Sequence, residues 1–203
     1  LFAAASWYAY GYLRTEEKGI RKDFEPEVFF TNTPEAVFCA CLLAFLASMT
    51  LVITSHHLGL LWVAIEATTL STAPLIYFHR HHRSLEATWK YLMICSVGIA
   101  IALLGSFFLA ISASYIGMEE NSLVLANLIR QGSHLNIPWL RVAFLFLLVG
   151  YGTKMGLAPL HTWLPDAHSE SPSVVSALLS GSLLNCAFLA ILRIYQVCLS
   201  AGL

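Results

Sequence analysis

Charge is what this chain has least of. Lys and Arg number 11 and Asp and Glu 12, so charged side chains make up 11% of 203 residues, against about 25% in soluble domains. With 58% hydrophobic residues, it is too apolar to clothe a soluble surface. The formal charge of −1 leaves no basic stripe to meet phosphates, which argues against a nucleic-acid partner. Cys39, Cys41, Cys95, Cys186 and Cys198 form no CxxC pair and no metal spacing. All five sit in apolar runs, where cysteine behaves as a small hydrophobe. A Gly-rich phosphate loop, a serine-nucleophile arrangement and a haem or iron–sulfur ligand pattern are also missing. No cofactor is therefore expected in the chain. The opening run, LFAAASWYAYGYL, lacks the charged start and cleavage site of a signal peptide.

What the chain has instead is long apolar runs, several of them reaching the ~20 residues a bilayer demands. They are continuous rather than alternating, which favours helices over a β-barrel. The expected fold class is an all-α polytopic membrane protein. Residues 1–13 read as the end of a transmembrane helix, 14–33 as a charged loop and 34–198 as five further helices. These are expected near Pro34–Thr54 (with Thr33 as N-cap), Leu58–Phe78, Leu85–Ser112, Ile137–His168 with an interruption, and Pro172–Val197. A polar loop at 114–136 holds Glu119, Glu120 and Arg130, and its segment SLVLANLIRQG suits a short amphipathic helix. The last residues, 199–203, read as a truncated end, and the whole as a piece of a longer membrane protein. If the loops alternate sides, Arg14, Lys18, Arg21, Lys22, Arg80 and Arg83 share one side. The positive-inside rule places loops 14–33 and 79–84 in the cytoplasm.

Against this apolar background a few charges stand out. Lys154, in VGYGTKMGLAPLHTWLPDAHSESP, ends a span-length apolar run, and Glu66 lies mid-helix in LLWVAIEATTLSTAPLIYF. Charge at membrane depth costs a few kcal/mol or more, so it is rare and usually marks a pathway or a partner. The pair is expected to act together, Lys154 accepting and releasing a proton as Glu66 changes charge. A static buried ion pair that only fixes packing is the competing reading. His161 and His168 follow Lys154 at intervals of seven, which keeps all three near one face of an unbroken helix. Pro159 and Pro165 oppose that continuity. Each histidine is a candidate proton relay or, alternatively, a helix-end hydrogen-bonding group. Asp166 is expected at the cytoplasmic surface, shaping the loop.

Ser173, Ser176 and Ser180 share a face of the last helix, suited to close packing or to a line of water. Asn185 is the stronger polar intrusion, able to hold water but not to carry charge. Lys90, one turn inside its helix, either snorkels to the cytoplasmic surface or approaches Glu66. The tract HRHHR (79–83) resembles a metal site in composition alone and is expected to meet lipid phosphates or a partner subunit.

The segments WVAIEATTLSTAPLI, ATWKYLM and GTKMGLAPLHTWLPDAHSESPSVVSALLSG resemble the antiporter-like proton-translocating family. That family comprises the large membrane-arm subunits of respiratory complex I, subunits of multisubunit sodium/proton antiporters and membrane subunits of group 4 hydrogenases. The resemblance implies an antiporter-like fold of two inverted repeats, each with a broken helix. This chain would supply the first repeat, the family's helices 4–8. It implies that Glu66 is the family's fifth-helix glutamate, Lys154 the lysine of the broken helix and Lys90 the lysine early in the sixth. Asn185 stands where complex I members typically carry lysine or histidine. With Gly156 after the methionine, that departure leans towards the group 4 hydrogenase branch. The resemblance further implies partner membrane and peripheral subunits, with iron–sulfur and nickel–iron centres in those partners, in a bacterial or archaeal cytoplasmic membrane.

Overall fold

The apolar runs fold into helices close to where their composition places them. A computed structural model describes residues 2–16, 20–22, 29–114 and 123–203. Helix α1 covers Phe2–Thr15, α2 Glu35–Thr54, α3 Leu58–Ile76 and α4 His82–Ser114. The short α5, Leu125–Arg130, occupies the expected amphipathic stretch. Helix α6 spans Ile137–Met155, α7 Trp163–Glu170, α8 Ser173–Leu178 and α9 Leu184–Ser200, the last two joined by a π-helical turn at Leu179–Leu183. Among the described residues, five helical stretches are long and apolar enough to cross a membrane: Glu35–Thr54, Leu58–Ile76, His82–Ser114, Ile137–Met155 and Ser173–Ser200. At 1.5 Å per residue α4 is about 50 Å long, so part of it projects beyond a hydrocarbon core of about 30 Å. Glu119, Glu120 and Lys18 lie outside the described residues.

The charged loop contains more structure than its composition suggests. Ile20–Lys22 (β1) pairs antiparallel with Phe29–Thr31 (β2). Thr33 does not cap α2 as expected: Pro34 takes that position, and the Thr33 hydroxyl donates to the Tyr77 carbonyl at 3.3 Å. His57, to which the sequence assigned no role, does cap a helix, its Nδ1 accepting from the Gly59 and Leu60 amides of α3. At the other end of α3 the HRHHR tract pins the corner that Thr33 occupies. His79 meets the Asn32 side chain at 2.9 Å and Arg80 Nε donates to the Thr33 hydroxyl at 3.4 Å.

Two features set the spacing of the helices. A Cβ added at Gly150 of α6 would stand 2.6 Å from Ala102 Cβ and from the Gly98 carbonyl oxygen of α4. Only glycine permits that approach, the small-residue packing that membrane helices use. At the opposite end, buried Arg193 of α9 donates to the Val52, Ile53 and Ser55 carbonyls at 3.1, 2.7 and 2.5 Å. The last carbonyls of a helix lack intrahelical donors and attract cations, so the guanidinium closes the end of α2.

Candidate functional site

The break after Lys154 is local and sequence-encoded. Gly156 adopts φ 82, a left-handed conformation open to glycine, and ends α6 one residue past Met155. Turns lead through residues 157–162 to α7, which folds back towards α4. Trp163, the first residue of α7, donates from Nε1 to the Thr153 carbonyl at 2.9 Å. That carbonyl lies in the last turn of α6, where partners are scarce.

Lys154 is fully buried, at 0% exposure. Its Nζ donates to Tyr91 Oη at 2.5 Å and to Thr69 Oγ1 at 3.0 Å. The rings of Tyr91 and Trp163 flank it, with centroids at 4.4 and 5.9 Å. The ammonium therefore sits in a cage from three helices: Thr69 of α3, Tyr91 of α4 and Trp163 of α7. Its partner Glu66, half-buried, is one hydroxyl away, because Thr69 Oγ1 lies 3.3 Å from Glu66 Oε2. Among the described residues, Lys154 makes no ion pair with a carboxylate within 4.0 Å. A second chain of hydroxyls leaves the lysine on the other side. Tyr91 Oη lies 2.5 Å from Thr72 Oγ1, which donates to the Thr68 carbonyl at 2.7 Å.

The remaining candidates fall outside this cage. Lys90 is exposed and bonds Glu86 at 2.8 Å and Asp166 at 2.9 Å. It thus ties α7 to α4 at the helix end, the surface position among its two expected placements. His81 adds a second tie from the start of α4, with Nε2 3.4 Å from Glu170 of α7. His161 is exposed in the turn before α7, and no hydrogen bond of its ring occurs among the described residues. The seven-residue alignment fails because the helix reverses at Gly156. His168 bonds Ser176 at 2.6 Å, which gives that serine a partner other than packing or water. Ser173 bonds Tyr8 at 3.1 Å and Ser180 bonds backbone of its own helix. Asn185 spends its amide on the Gly181 carbonyl at 2.9 Å. It lines an apolar cleft of about 210 Å³ with Phe2, Met49 and Ile53.

Tyr91, Thr69 and Thr72 were not singled out in the sequence, although two of them carried a readable signal. Thr69 follows Glu66 by three residues and Thr72 follows Thr69 by three, which makes each successive pair neighbours on the helix surface. Tyr91 had no comparable signal, since its partners come from α3 and α6.

Residues 55–202 match the family described as NADH:quinone oxidoreductase/Mrp antiporter, TM. The chain belongs to this family. It is 48% identical over 160 residues to the Hydrogenase-4 component F homolog of Methylacidiphilum infernorum, covering 78% of this chain and 33% of that protein. It is 36% identical over 154 residues to the F(420)H(2) dehydrogenase subunit N of Methanosarcina mazei, covering 75% and 30%. A chain of respiratory complex I from Thermus thermophilus superposes with TM-score 0.63 at 31% identity, over 77% of this chain and 33% of that one. The antiporter-like fold and the integral membrane setting follow from family and helices together. The chain spans about a third of the length of the curated relatives it matches, and all of the cage-forming side chains lie within the matched region.

Proposed function

We propose that the chain is the proton-carrying repeat of a membrane subunit in a multisubunit oxidoreductase, of the hydrogenase-4/formate hydrogenlyase or complex I type. The observation that carries this reading is the separation of a fully buried Lys154 from Glu66 by the Thr69 hydroxyl alone. The geometry suits a concerted exchange. Lys154 gives a proton to Thr69 Oγ1 while the Thr69 hydroxyl proton passes to Glu66 Oε2, so ammonium and carboxylate become amine and carboxylic acid. Charge is conserved within the site, and no heavy atom has to travel. Electron transfer belongs to partner subunits, where iron–sulfur and nickel–iron centres reside, and reaches this chain as an electrostatic change. Loops 14–33 and 79–84 face the cytoplasm in this reading.

A second reading, a non-conducting membrane anchor, draws support from Asn185, a neutral side chain bonded to its own helix. The full-length subunit in its assembled complex separates the two. Lys154→Ala and Glu66→Gln should each abolish coupled proton translocation into membrane vesicles while assembly persists. Translocation at the parent rate in either variant would overturn the exchange and leave the anchor standing. Translocation that instead tracks sodium would assign the subunit to the sodium/proton antiporters.

A further inference from the structure

We infer that Tyr91 is a positioning residue that sets the proton affinity of Lys154 through a reversible hydroxyl arrangement shared with Thr72. This rests on the reading of Lys154 as a proton site. Tyr91 is fully buried and touches two partners with one oxygen, Lys154 Nζ and Thr72 Oγ1, each at 2.5 Å. A phenol oxygen both donates and accepts, and so does a threonine hydroxyl. Two complete arrangements therefore exist on the same heavy atoms. With Lys154 charged, the ammonium donates to Tyr91, Tyr91 donates to Thr72, and Thr72 donates to the Thr68 carbonyl 2.7 Å away. With Lys154 neutral, Tyr91 donates to the amine and Thr72 donates to Tyr91. Neither state leaves Tyr91 or Thr72 without a partner, which matters because an unpaired buried polar group is expensive.

This branch ends on a backbone carbonyl, which cannot take up a proton, so Tyr91 orients hydrogens and does not conduct them. The Thr69 branch ends on a carboxylate and can receive one. The titratable groups facing Lys154 are Glu66 of α3, one hydroxyl away, and Tyr91 and Cys95 of α4; α7 presents the non-titrating Trp163. Hydrogen bonds to a charged group are stronger than those to a neutral one, so the Tyr91 hydroxyl favours the charged lysine over the neutral one.

The test compares Tyr91→Phe with the parent in the full-length assembled complex, following proton translocation against pH. The ring and its packing remain while the hydroxyl goes. The pH of half-maximal translocation should fall by about one unit, a roughly tenfold loss in proton affinity. Thr72→Val, of similar shape, should shift it the same way by less. The double variant should match Tyr91→Phe alone, because both changes remove one chain. Thr72→Val also supplies the test if Tyr91→Phe fails to assemble. An unchanged pH profile in both single variants, with Lys154→Ala still inactive, would overturn the role of Tyr91 and leave that of Lys154 intact. Additive shifts in the double variant would also overturn it, reducing both residues to packing. Full translocation in Lys154→Ala would overturn the proton site and this inference together.

Discussion

Thr69→Val is the sharpest probe of the site, because valine keeps the shape of threonine and loses only the hydroxyl. Thr69 Oγ1 accepts from Lys154 at 3.0 Å and faces Glu66 at 3.3 Å, so the change removes one of the two hydroxyl acceptors of a fully buried ammonium. A hydrogen bond to a charged group contributes about 1.5–3 kcal/mol. Losing it displaces the lysine equilibrium by about 10- to 150-fold. The same substitution removes the hydroxyl through which the proposed exchange reaches Glu66, so that step should slow by about tenfold or more as well. Tyr91 keeps its place, and fold and assembly should survive. The assay is proton uptake into inverted vesicles, with electron transfer followed in the same preparation. Translocation should collapse with the complex still assembled, and Thr69→Ser, which restores the hydroxyl, should recover most of it. Parent-level translocation in the valine variant would refute the hydroxyl bridge, and so would a serine variant as inactive as the valine one.

Other substitutions probe the frame around the cage. Arg193→Met strips three hydrogen bonds from the end of α2 and should cost about 2–4 kcal/mol. Thermal unfolding of the detergent-solubilised subunit should fall by several degrees, and an unchanged midpoint would deny the capping role. Gly150→Ala places a Cβ 2.6 Å from Ala102 Cβ and forces α4 and α6 apart, an overpacking cost of about 1–3 kcal/mol. Tyr91 and Lys154 ride on these two helices, so translocation measured in vesicles should fall further than the loss of assembled protein accounts for. Neutralising the exposed Lys90–Asp166 pair with Lys90→Met and Asp166→Asn should leave translocation within about twofold of the parent; its abolition in vesicles would move Lys90 into the proton path.

The span-forming helices were legible because each depends on a run of consecutive residues. Apolar length gives α2, α3, α4 and α6 to within a few residues, and Gly156 with the following prolines gives the break. Lys154 and Glu66 were legible as anomalies, since a charge in an apolar run is visible without a fold. Their connection was not. Thr69 reaches Lys154 across 85 residues of sequence and Tyr91 across 63, so nothing local encodes either contact. The misread capping role of Thr33 has the same origin: its hydroxyl was committed to Tyr77, 44 residues away. His161 leaves the face of Lys154 because a seven-residue interval means one face only while the helix continues, and here it stops at Gly156, as the following prolines suggested.

The hydroxyl between Lys154 and Glu66 has an energetic consequence that direct contact would not. Removing one partner from a buried, contacting ion pair costs about 3–5 kcal/mol, which would lock both groups in their charged forms. A bridging threonine weakens the attraction by distance while keeping a hydrogen-bonded path, so charged and neutral forms can lie close in free energy. Asn185 is bonded to its own helix, lines an apolar cleft and is not among the hydrogen-bond partners of Lys154. Among the described residues, that leaves Glu66 as the one carboxylate joined to Lys154 through a hydroxyl. If this is the exchange, Glu66→Gln and Lys154→Ala must be equally silent in translocation, because each removes one end of the same transfer. A residual rate in Glu66→Gln that is absent from Lys154→Ala would show that Lys154 trades its proton with a group outside this repeat.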